Sequence, residues 1–110
     1  MWNFIFAWNT LAMRVHETAK SKGWWDGERN DGECIALMHS ELSEALEAVR
    51  HGNPPDDHIP EFTGLEAELA DVVIRIMDYS AARHLRVADA IEAKLEYNAT
   101  RPRKHGGKAF

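Results

Sequence analysis

Between Leu65 and Ala81 almost every uncharged residue is apolar, and the apolar residues do not keep to one side. Leu65, Ala67, Leu69, Ala70, Val72, Val73, Ile74, Ile76, Met77 and Ala81 cover well over half the circumference of a helix at about 100° per residue. Glu68, Asp71, Arg75 and Asp78 share the remaining slice. A helix of this kind must be covered on several sides, more than the core of one small chain supplies. It therefore predicts an all-α fold with a second copy of the chain against this helix. Its polar slice has to face a cleft or the solvent.

The rest of the chain supplies helices to surround it. Phe4, Trp8, Leu11, Val15 and Ala19 recur at intervals of three and four, predicting a first helix over about 2–22 that Gly23 stops. Trp24-Trp25-Asp26-Gly27 reads as a loop. A second helix is expected over about 31–51, capped from Asn30 or Asp31 with Glu33 placed to complete the cap, and ended by Gly52-Asn53-Pro54-Pro55. Thr63-Gly64-Leu65-Glu66 has capping-box spacing and opens the third helix, about 64–83. The fourth, about 87–100, has Arg86 where a capping Ser or Asp would be expected, and Pro102 closes it. A tail over 101–110 lacks periodicity, and no segment alternates as a strand does. The expected architecture is a single domain over 1–110, a four-helix-bundle protomer with an extended C-terminal tail, assembled as a dimer or a dimer of dimers.

Composition narrows the function. A chain of 110 residues that is 45% hydrophobic and 28% charged is an ordinary globular domain with no run long enough to span a membrane. The start carries no basic residue before Arg14, unlike a signal peptide, and Cys34 is the single cysteine, so a cytoplasmic setting is expected. The net charge of −5 argues against binding a nucleic-acid polymer. Positive charge is nevertheless gathered near the end, at Arg101, Arg103, Lys104 and Lys108, which suits a small polyphosphate.

Two acidic couplets sit in the helical segments: Glu41-Leu42-Ser43-Glu44 and Glu68-Leu69-Ala70-Asp71. Carboxylates three residues apart point the same way, so two such helices side by side gather four oxygen donors. Acidic residues on helices are usually solvated surface. Glu41, however, falls between Leu37 and Met38 on the wheel, with Ala45 and Ala48 on the same side, in the middle of the buried face. A lone carboxylate there would be heavily penalised without a compensating cation or donor. All-oxygen ligation favours Mg²⁺, with Mn²⁺ as a substitute, and neither couplet has the Glu-x-x-His spacing of di-iron bundles. On the fourth helix Lys94, Asn98 and Arg101 lie on the side of Val87 and Ile91, polar groups on a packing face that need a partner such as an anionic ligand.

Glu41-x-x-Glu44, Glu68-x-x-Asp71, then Lys94-x-x-x-Asn98-x-x-Arg101 and a basic, Gly-containing tail together resemble the MazG-like all-α nucleoside triphosphate pyrophosphohydrolases. The resemblance spans about residues 35–108. It implies Mg²⁺-dependent hydrolysis of a nucleoside triphosphate, commonly a deoxynucleotide, to the monophosphate and pyrophosphate. Glu41, Glu44, Glu68 and Asp71 would hold the metal, with Glu44 or Glu41 orienting or deprotonating the attacking water. Lys94, Asn98 and Arg101, with Lys104 and Lys108 of the tail, would meet the nucleotide's phosphates or sugar. Trp25 matches in spacing an aromatic that stacks on the base in pyrimidine-specific relatives, and His16 would face the base edge; Trp24 or Trp8 could take the stacking role. Arg75 stands where some relatives carry tyrosine, so it would contact phosphate or neutralise Asp71. Two other readings compete: a non-catalytic helical interaction module, and a pyrophosphatase acting on another nucleotide derivative.

Overall fold

The helix boundaries follow from local chemistry. In the computed structural model, which describes residues 3–103, α1 spans Phe4–Ser21, α2 Asp31–Arg50, α3 Gly64–Arg83 and α4 Val87–Ala99. Asn3 begins α1, two residues later than periodicity suggests, because its side chain accepts from the Phe6 amide and its own backbone is extended. Gly23 ends that helix in the left-handed region, φ 89°. Asn30 caps α2 by accepting from the Glu33 amide at 2.7 Å. Thr63 and Glu66 form a full capping box at α3, whereas Arg86 begins α4 with no side-chain cap. Among the described residues there is no strand, and no helix is long and apolar enough to cross a membrane.

α2 and α3 form an antiparallel hairpin. At one end Gly64 lies so close to Ala48 that a Cβ built on it would sit 3.2 Å from the Ala48 Cβ. At the other Arg83 donates to Asp31 at 2.9 Å and to the Arg29 carbonyl at 2.6 Å. The connection between the helices is self-braced: Asn53, at φ 51°, accepts from the Leu65 amide, and Asp56 accepts from the amides of His58 and Ile59. α3 packs against both α1 and α2, which puts it between them, while α4 leans on α1.

The core is built of small side chains. Ala12, Cys34, Ala45, Ala67, Met77 and Ala88 are buried, together with Ser80, whose hydroxyl donates to the Ile76 carbonyl. Larger apolar residues remain half out. Ile35, Leu42, Leu46 and Val49 of α2 are exposed and fall within about 60° of one another on the wheel, a continuous stripe. On α4 Leu95 is 64% exposed, and Val87, Ile91 and Leu95 line an open apolar groove.

Candidate metal centre and its cleft

Helix α2 turns Glu41 inward, as its neighbours on the wheel require, leaving its side chain 15% exposed. Helix α3 brings Glu68 and Asp71 to meet it. One carboxylate oxygen from each of these three residues lies within 4.8 Å of the others. Glu44, one helical turn beyond Glu41, is exposed and outside this group, although its charge reaches Glu68. An octahedral Mg²⁺ site with bonds of about 2.1 Å holds its oxygens roughly 3.0 to 4.2 Å apart. Side-chain shifts of about 1 Å would bring the three carboxylates to that spacing, and three ligands would leave coordination positions for water.

Burial, and after it the proximity of like charges, raises the proton affinity of Glu68 and Asp71. Glu68 is pushed up to about 7, by burial first, then by a hydrogen bond to Glu41, then by the charges of Asp71, Glu41 and Glu44. Asp71 is also raised, by desolvation and the Glu41 charge, with Arg75 acting the other way. Since Glu68 binds its proton more tightly in the fold than in the unfolded chain, stability falls as pH rises from about 4.5 through about 7. Thermal melts in EDTA should show Tm declining between about pH 5 and pH 8. Mg²⁺ should raise Tm at the upper pH far more than at the lower, where a proton still holds the site. A Tm that is flat across this range and indifferent to Mg²⁺ at its upper end would contradict the assignment.

A cleft of about 270 Å³ opens beside the carboxylates, between α1 and α3. Lys22, Trp24, Glu41, Asp71, Arg75 and Asp78 supply its polar and aromatic wall, and Val15 and Ile74 its apolar one. The polar slice of α3 thus faces a cleft. Arg75 pairs with Glu41: Nε and Nη2 each lie 2.9 Å from the same oxygen, Oε1. Its guanidinium is also 5.4 Å from the Trp24 ring. The ion pair of Arg75 is thus with Glu41, and its charge also acts on Asp71, one of the two partners expected for it.

Trp25 and His16 meet, but around Asp78. The Trp25 indole N–H donates to both Asp78 oxygens, at 2.9 and 3.1 Å, and His16 Nδ1 lies 2.8 Å from Oδ1. A carboxylate oxygen accepts, so Nδ1 carries the hydrogen. Arg29 and Arg83 lie over the Trp25 ring, at 4.7 and 5.5 Å. Trp24, by contrast, is 48% exposed and lines the cleft. Asp78 is the tie between α1, the Trp25 loop and α3, with its side chain 14% exposed. Asp78→Asn should lower stability by about 2 kcal/mol, read as a Tm drop on the order of 8 °C with a red shift of tryptophan emission. An unchanged melt would show that the network contributes nothing.

Lys94 and Asn98 do share the face of Val87 and Ile91, as their spacing requires. That face is open, and no α4 residue lines the cleft at the carboxylates. Lys94 and Arg101 instead rest near the Tyr97 ring, at 5.2 and 5.8 Å. Lys104 and Lys108 lie outside the described residues. Periodicity could not single out Lys22, because it sits at a helix end, or Arg29, because it lies in a loop. Asp78 was visible only as one member of the polar slice.

Among the described residues the chain is all-α, four helices with a carboxylate-lined cleft beside α3. Compared with protein-family models, with curated proteins and with solved structures, the chain matches none.

Proposed function

We propose that the chain is a Mg²⁺-dependent nucleoside triphosphate pyrophosphohydrolase that converts a (d)NTP to the (d)NMP and pyrophosphate. The observation that carries this reading is the convergence of Glu41, Glu68 and Asp71, two of which, Glu41 and Asp71, line a cleft that also holds Lys22, Arg75 and the exposed Trp24. Glu41, Glu68 and Asp71 hold the metal, and Glu44, one helical turn beyond Glu41, orients the attacking water. Mg²⁺ bound there would lower the pKa of a water and offset charge on the leaving pyrophosphate. Trp24 is the better stacking partner for the base. The Trp25 indole N–H is already given to Asp78, whereas Trp24 is exposed and lines the cleft.

The active form in this reading is a homodimer or a dimer of dimers, in which bundle packing is completed between copies. Two open apolar faces support it, the α2 stripe and the α4 groove. A second copy would also explain Lys94 and Asn98, which do not line the cleft of their own chain and would reach that of a partner.

Pyrophosphate release from the eight common (d)NTPs, with Mg²⁺ and with EDTA, tests the proposal and reads the base preference. Metal-dependent release from at least one nucleotide is expected. Inactivity across the panel would favour the second reading, a helical interaction module, which the same exposed apolar faces support.

A further inference from the structure

We infer that Arg75 is the resident counter-cation of the acidic site: it holds Glu41 while no metal is bound and passes to the substrate's phosphates when a metal ion takes Glu41. This rests on the metal-centre reading above and adds to it a coupling between the two ligands. Metal and polyphosphate would then each clear the way for the other.

The geometry of the pair motivates it. Arg75 donates from Nε to one oxygen of Glu41 at 2.9 Å and places Nη2 2.9 Å from that same oxygen. It makes no other ion pair among the described residues, so Nη1 is left without a protein acceptor. The guanidinium is 27% exposed, lines the cleft and lies 5.4 Å from the Trp24 ring. Letting go of Glu41 would therefore leave it in the cleft, beside an aromatic surface that tolerates a cation. Arg75 is the only cation paired with any of Glu41, Glu68 and Asp71 among the described residues.

Electrostatics gives the exchange a direction. Three clustered carboxylates favour a cation among them, and Arg75 supplies one positive charge where a divalent ion supplies two. An ion approaching Glu41 meets both the occupied Oε1 and the guanidinium charge, so Arg75 opposes metal binding while it stays. Once displaced, its planar fork suits the paired oxygens of a phosphate better than an ammonium would. A polyphosphate that accepts the guanidinium removes that opposition, and by linkage the metal strengthens anion binding by the same factor.

Removing the arginine separates this role from simple support of Glu41, because the two predict effects of opposite sign. Mn²⁺ affinity, measured by EPR without any anion, should increase about tenfold in Arg75→Met. In Arg75→Lys, which keeps the charge, it should stay within about threefold of wild type. If Arg75 merely positions Glu41, Arg75→Met binds Mn²⁺ no better or worse than wild type, and the proposal is overturned. In wild-type protein the Arg75 Nε–H resonance should lose its protection from water exchange on addition of Mg²⁺ and regain it when pyrophosphate follows. An Nε–H signal indifferent to both additions would also overturn the exchange, even if the methionine variant failed to fold. Absence of Mn²⁺ binding at millimolar concentration in wild type and Arg75→Met alike would remove the metal-centre reading itself. Metal binding by wild type with unchanged affinity in the variant removes only the role given to Arg75.

Discussion

Glu41→Gln should reduce Mg²⁺-dependent pyrophosphate release by on the order of a hundredfold to a thousandfold, the scale of losing a group that acts directly on transition-state charge. The amide keeps the shape of the side chain but removes the charge around which Glu68, Asp71 and Arg75 are arranged. The fold should survive. Arg75 is 27% exposed and can turn toward water, and the introduced amide still offers its carbonyl oxygen as an acceptor, so a loss of about 1 kcal/mol is expected. Circular dichroism and a melt within roughly 5 °C of wild type would separate a chemical defect from an unfolded protein. Near-normal turnover in a folded Glu41→Gln variant would sink the assignment of the site.

The second large effect is expected from Leu46→Glu, in the stripe formed with Ile35, Leu42 and Val49. Leu46 is 50% exposed in the single chain, so covering it with a partner removes on the order of 80 Å² of apolar surface, worth about 2 kcal/mol per copy. A glutamate there loses that term and adds a charge to be desolvated. Light scattering after size exclusion should show wild type as a dimer or tetramer and the variant as a smaller species at micromolar concentration. Turnover should fall with dissociation and recover partly at high protein concentration. A wild-type chain that runs as a monomer would remove the assembly from the proposal, and with it the explanation offered for Lys94 and Asn98.

Much of the scaffold is legible in the order of the residues. Periodicity and capping chemistry are local, and Asn30, Thr63, Glu66 and Gly23 act on backbone groups a few residues away. The four helices therefore appear within two residues of the expected ends, the difference at α1 coming from the Asn3 cap. The inward turn of Glu41 is legible for the same reason, since the wheel of a single helix decides which side a residue occupies. What the wheel cannot give is the distance between helices. Glu44 and Glu41 belong to the same couplet, yet only Glu41 faces α3 closely enough to join Glu68 and Asp71.

The amino-acid sequence by itself determined an all-α chain, a third helix with one polar slice, and an acidic couplet on each of α2 and α3. Tertiary structure alone decided that Arg75 reaches Glu41, that Asp78 gathers His16 and Trp25, and that Trp24 is the tryptophan left at the cleft. It also left the face of α4 that carries Lys94 and Asn98 open. The physical reason is the range of the forces involved. Caps and helical periods are set within one or two turns, whereas an ion pair between helices depends on how two cylinders pack, and that packing is set by all the small side chains between them at once.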